Sequence, residues 1–322
     1  MTDELPVVPF RSTLYTPAEL FDGFDPARPG SYAETLDLRT YRSTRGAPSR
    51  DVGMLRALHD QCITDARDAL VDRRRVVAIM GGHDMARTDP AYREFARLAR
   101  RLARAGALLT SGGGPGAMEA THLGARFAPC PDGDLDAALG ALGEVPEFPR
   151  GGPLVRPDGA LDAELLVRLH EWQVPAFAVA ASVPDEQAGA SLAVPTWFYG
   201  HEPPTPLATH LAKYFSNAQR EDGLLAIAGD GTVFAPGKAG TLQEVFQDAA
   251  QNYYRVFHDR FSPMAFLDVG GCWSRTFPVD DLLRTLFGGD DHARHVRRSA
   301  DPDELYRFLT ERWSPPGATP DR

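Results

Sequence analysis

Apolar positions along the 322-residue chain follow two alternating rhythms: short β-branched runs, and longer stretches where apolar residues recur every three or four positions. The clearest short run, Val76-Val77-Ala78-Ile79-Met80, stops at Gly81-Gly82, the pattern of a buried parallel strand. Asp89-Pro90 then offers an N-cap and a first-turn proline, which together open a helix. That helix carries Tyr92, Phe95, Leu98, Ala99 and Leu102 on one face, with arginines opposite. Gly106 closes it, and Ala107-Leu108-Leu109-Thr110 is the next strand. A strand-helix-strand unit of this kind predicts a parallel sheet with a right-handed crossover.

Ahead of this unit, Leu55, Leu58, Cys62, Ile63, Ala66 and Leu70 predict a helix over 51–72. Behind it the rhythm breaks over 128–160, where Pro, Gly and acidic residues surround a short helical piece near 135–142. This reads as an insertion or lid. The pattern then predicts a helix over 161–173, strands over 176–181 and 191–194, a helix over 206–222 and a strand over 232–235. From Thr241 a helix shows Leu242, Val245, Phe246, Ala249 and Tyr253 on one face. A strand over 263–269 and a helical tail over 279–313 complete the pattern, and residues 1–50 read as an irregular arm wrapping the body. The expected fold class is α/β, a Rossmann-like doubly wound parallel sheet with helices on both faces, an N-terminal arm and an inserted lid. The expected division is an arm and helix at 1–72, the nucleotide-binding domain at 73–275 with its insertion at about 128–175, and the tail at 276–322.

Composition narrows the function. A formal net charge of −10 argues against a broad nucleic-acid surface, which needs an excess of Lys and Arg. A single mononucleotide needs only a local pocket. No apolar stretch approaches a membrane span, and residues 1–10 lack the basic and apolar regions of an export signal. Cys62, Cys130 and Cys272 are far apart and form no CxxC or zinc-ligand spacing, so reduced thiols in a cytoplasmic protein are expected. The pairs His83-Asp84, His170-Glu171 and His201-Glu202 have no HExxH spacing and read as surface or hydrogen-bonded histidines, so neither a metal nor a cofactor is expected.

Two loops carry the candidate chemistry. Strand 107–110 runs into Ser111-Gly112-Gly113-Gly114-Pro115-Gly116-Ala117-Met118-Glu119-Ala120. Glycines between a strand and a helix remove the Cβ atoms that block close approach of a ligand, at the strand end where open α/β sheets bind. The spacing is neither GxGxxG nor a Walker loop. The second loop, Pro236-Gly237-Lys238-Ala239-Gly240-Thr241-Leu242-Gln243-Glu244, also lies between a strand and a helix. Its glycines can fold around an anion, Lys238 adds a cation, and Glu244 lies one turn into the helix. Thr241 and Glu244 equally match a capping box, which is compatible with any function. Between the loops, Trp197-Phe198-Tyr199 can stack on a base or simply pack, and His201 can line a base pocket.

The two motifs together resemble those of the LONELY GUY family, whose members are similar to cytokinin riboside monophosphate phosphoribohydrolases and were often mislabelled lysine decarboxylases. The resemblance covers roughly residues 75–270. It implies a homodimer of Rossmann-like subunits that binds a nucleoside 5′-monophosphate and hydrolyses its N-glycosidic bond. It places the 5′-phosphate on Gly237, Lys238, Ala239, Gly240 and Thr241, with Glu244 catalytic and an upstream arginine, Arg220, assisting. Substrate would also meet Gly112, Gly113, Gly114, Gly116, Met118, His201 and Glu202, and Glu119 would lie near the ribose hydroxyls as a second carboxylate. Three positions depart from the family pattern: Lys238-Ala239, Arg220-Glu221 in place of an Arg-Lys pair, and Gly81-Gly82-His83 in place of Gly-Ser. Lysine decarboxylation fits poorly, because it requires a Schiff-base lysine in a pyridoxal phosphate site. The only lysines, Lys213 and Lys238, have no evident partner for a pyridinium nitrogen. The competing function is a nucleotide or cofactor carrier or sensor on the same fold.

Overall fold

The computed structural model describes residues 5–198, 200, 202–257 and 260–313. Seven parallel strands form one sheet: β1 Arg75–Met80, β2 Ala107–Ser111, β3 Ser191–Ala193, β4 His210–Leu211, β5 Thr232–Phe234, β6 Met264–Leu267 and β7 Val296–Ser299. Their order is β4-β3-β2-β1-β5-β6-β7. The period-two alternation of each strand splits its residues between two cores. Val76, Ala78 and Met80 point into one, with Phe234, Met264 and Phe266. Val77 and Ile79 point into the other, with Val233, Ala265 and Leu267. The first core is covered by helices Arg50–Val71, Asn217–Ala226 and Ala239–Tyr254. The second is covered by helices Pro90–Arg104, Ala117–Arg126 and Pro302–Thr310. The fold is therefore the expected Rossmann-like α/β sheet with helices on both faces. Among the described residues no helix is long and apolar enough to cross a membrane.

The periodic segments form as the pattern predicts. Helix Pro90–Arg104 begins at Asp89, whose side chain accepts from Ala91 N at 2.8 Å, and Gly106 takes φ 94° just beyond its end. The helix predicted over 51–72 runs Arg50–Val71, and the short helical piece of the insertion runs Asp132–Gly143.

Four expectations are corrected. Residues 176–181 are not a strand but part of helix Ala163–Ser182, which continues through Pro175. Ala176, Val179 and Ala180 bury one helical face there. In the turn ahead of the proline, where the ladder is disturbed, the carbonyl of Trp172 accepts from Arg87 NH1 at 2.9 Å. Residues 206–222 are not one helix: β4 occupies 210–211, and the helix starts at Asn217 under a Ser216 cap. The arm is only partly irregular. It contributes helix Leu36–Thr44, buries Tyr15, Leu20, Tyr32 and Leu38, and bonds Tyr15 to both backbone groups of Leu211, covering the outer edge of β4. The tail is not wholly helical, since β7 pairs with β6 from Met264↔Val296 to Leu267↔Ser299. Only Val296 of that strand is buried. It is a polar edge strand, so no apolar run announces it.

Candidate active site

The chain winds outward from β1 to β4 on one side and from β5 to β7 on the other. The boundary between β1 and β5 is thus the topological switch point, where sheets of this class open a ligand crevice at their carboxyl ends. A crevice of about 640 Å³ lies there. It is lined by Gly81–Met85 beyond β1, Pro236–Lys238 beyond β5, and Met118, Glu202, Arg220, Glu221, Gly240, Thr241 and Glu244. Gly82 N donates to Pro236 O at 3.1 Å, joining the two loops edge to edge.

Helix Ala239–Tyr254 points its start at this crevice. Lys238 is the N-cap residue, and its side chain makes no cap hydrogen bond. The capping-box reading is therefore not realised: Thr241 sits inside the first turn rather than at the cap. A helix start without a side-chain cap leaves N–H groups and a positive dipole end for an anion. Gly237 is required beside it, because a Cβ there would lie 2.0 Å from Thr241 Oγ1. Lys238 Nζ meets Asp84 Oδ2 at 2.5 Å, so the cation bridges the two loops at the crevice mouth. That hydrogen bond, helped by the charges of His83, Lys238 and Arg150, holds the Asp84 carboxyl below the usual carboxylate range.

Arg220 and Glu244 share the crevice. Arg220 is buried, and its Nε donates to Val194 O at 2.7 Å, which fixes the guanidinium over the first glycine loop. A Cβ on Gly112 would lie 2.2 Å from Arg220 NH2 and 2.8 Å from Met118 Sδ. Gly112→Ala is therefore expected to displace the Arg220 guanidinium and, if this crevice carries the reaction proposed below, to lower kcat/KM about 10²-fold, the cost of a small misplacement of a catalytic group. Steady-state kinetics checks it; an unchanged kcat/KM would show that Arg220 is dispensable. Burial pushes the Glu244 carboxyl up to about 7, with the Arg220 charge pulling it down and the Glu221 charge pushing it up. Such a group changes charge near neutrality, as an acid–base residue should.

No protein-family model matches the chain, and no curated protein matches it. Solved structures do resemble it in fold. The X-ray structure of TM1055, a structural-genomics target, is 16% identical with a TM-score of 0.43, over 74% of this chain and 99% of that one. The molybdenum cofactor binding protein from the phototrophic bacterium Rippkaea orientalis is 13% identical with a TM-score of 0.38, over 74% and 97%. At these values neither likeness bears on chemistry.

The structure sorts the residues named from the sequence. Glu244, Arg220, Gly237, Lys238, Gly240, Thr241, Met118 and Glu202 line the crevice, and Ala239 lies in the adjoining helical turn. Gly112, Gly113 and Gly114 form a small side cleft with Glu202 and Arg220. Gly116 does not line the crevice: with φ 69° and a Cβ position 2.5 Å from Gly82 O, it lets the first glycine loop approach the turn after β1. Glu119 is a correction. It does not line the crevice, and its buried carboxylate is held by Arg87 through Nε at 2.8 Å and Nη2 at 2.7 Å and by Tyr92 OH at 2.8 Å. Trp197 is also no base platform, being buried with its Nε1 on Asp37 and its ring stacked on Phe215. Phe246 and Tyr253 leave the predicted inner face and stand 42% and 52% exposed. His201 and Tyr199 lie outside the described residues. The sequence reading missed His83, Asp84 and Glu221 as crevice residues. Their signal was position, directly after a β1 strand end or beside the arginine. The insertion adds a side chamber of about 270 Å³, lined by Glu147–Gly152 and sharing His83 and Asp84 with the crevice.

Proposed function

We propose that the chain is a nucleoside 5′-monophosphate phosphoribohydrolase. The observation that carries this reading is the placement of Glu244 in one crevice with Arg220 and a helix start whose N-cap residue, Lys238, makes no side-chain cap hydrogen bond. The 5′-phosphate takes the N–H groups of the first turn of helix Ala239–Tyr254, and displaces Asp84 as the partner of Lys238. This sets the ribose beside Glu244, one turn along the helix. The reaction breaks the C1′–N bond and forms a C1′–O bond to water. Glu244 takes one water proton and returns it to the departing nucleobase nitrogen, while the other stays on the new C1′ hydroxyl, giving free base and ribose 5-phosphate. The ionised Glu244 carboxylate stabilises the oxocarbenium-like transition state and accepts the proton of the attacking water. Arg220 offers positive charge to the leaving-group or phosphate side.

A phosphate anchor makes AMP a substrate and adenosine none. Chromatography of reactions with each should show adenine and ribose 5-phosphate from AMP alone. Equal cleavage of adenosine would remove the anchor from the account. Tight AMP binding with no release would make the protein a carrier.

A further inference from the structure

Beside Arg220 the crevice is lined by Met118 and Glu202, and Glu202 and Arg220 also line the small cleft over the first glycine loop. Met118 spans this stretch, since a Cβ on Gly112 would meet its Sδ at 2.8 Å and one on Gly114 its Cε at 2.9 Å. Glu202 stands at the far end, with Oε2 3.2 Å from a Cβ position on Gly114. Its Oε1 lies 3.2 Å from His83 Nδ1, while His83 Nε2 lies 3.3 Å from Asp84 Oδ1. The imidazole is thereby held between two carboxylates, and it orients Glu202.

With phosphate at the helix start and the glycosidic carbon between Glu244 and Arg220, the base extends over Met118 toward Glu202. The thioether gives that base an apolar, polarisable face. The carboxylate meets its edge, and an ionised carboxylate is acceptor-only. It accepts from an exocyclic amine and repels a carbonyl oxygen at the same place. The geometry points to Glu202 as the residue that selects nucleotides with an amino group on the base edge, AMP over IMP and CMP over UMP. This assignment rests on the phosphoribohydrolase reading.

The test compares kcat/KM for AMP and IMP, which differ at one substituent, in the wild-type protein and in Glu202→Gln. A hydrogen bond to a charged group corresponds to about a 10–100-fold preference for AMP in the wild type. The amide of the variant presents both an acceptor and a donor, so AMP turnover falls, IMP turnover rises and the ratio closes to within about threefold. A thermal melt of the variant confirms its fold. A merely structural Glu202 would lower both substrates by one factor and leave the ratio standing, which overturns the assignment. A wild-type ratio near one also overturns it, while leaving the hydrolase reading intact. Turnover of no monophosphate by the wild type overturns both.

Discussion

Glu244→Gln is expected to lower base release roughly 10³-fold, the size of effect seen when a charge-stabilising or proton-accepting group is removed. The variant keeps its fold and still binds nucleotide, because the amide preserves shape and the phosphate contacts lie elsewhere. In the proposed mechanism the active form is the carboxylate, and burial raises that carboxyl to about 7. The rate kcat/KM therefore climbs with pH through about 7 and levels above it. A profile that is flat or falls across that range would remove Glu244 as the ionised catalyst. Stability moves the other way. The folded-state value is raised from 4.5, so the native protein binds the proton more tightly than the unfolded chain. Stability is full below about 4.5 and declines as pH rises through about 7. Above that range Glu244→Gln should gain stability, at most about 3 kcal/mol, and near pH 4.5 it should match the wild type. Denaturant titrations at the two pH values check the sign.

The second large effect lies outside the crevice. Arg87→Ala is expected to cost about 3–5 kcal/mol, the penalty for stranding a buried charge. Arg87 and Glu119 are both buried, and their side chains form a two-pronged ion pair. Arg87 NH1 also reaches Trp172 O at 2.9 Å, and its guanidinium lies 4.0 Å from the centre of the Trp172 ring. One side chain therefore ties the loop after β1, the helix after the first glycine loop and the helix carrying the insertion. Burial and the Glu119 charge hold the Tyr92 hydroxyl well above its usual range, so it stays a donor to Glu119. Urea unfolding measures the loss. A change under about 1 kcal/mol would mean that solvent reaches the stranded carboxylate. The combined Arg87→Met, Glu119→Leu variant should recover much of the stability, because replacing both partners leaves no buried charge unpaired.

What the sequence makes legible follows from where the information lies. β1, β2, β5 and β6 are buried on both faces, so their apolar runs stand out without alignment. β4 and β7 are short edge strands with few buried residues, and periodicity cannot find them. Residues 176–181 mislead because Val, Phe and Ala after a proline suit a strand, whereas packing of Ala176, Val179 and Ala180 against the second core selects a helix. The expected helix over 206–222 overlooked the Ser216 start signal: Ser216 caps the helix that begins at Asn217, accepting from Gln219 N at 3.3 Å. Of the site, the glycine loops and Glu244 were readable as local motifs. Glu119 was not, because its partner Arg87 lies 32 positions away in sequence. His83 and Asp84 became crevice residues only when β1 and β5 paired, a contact no local window contains.

The central claim is hydrolysis of the N-glycosidic bond, and the most direct test is the reaction of AMP in ¹⁸O-labelled water. One adenine and one ribose 5-phosphate are expected for each AMP consumed, with a single solvent oxygen on C1 at the moment of release, and a rate about 10³-fold lower with Glu244→Gln. AMP recovered intact from the protein, or adenine released with no ribose 5-phosphate, would contradict it.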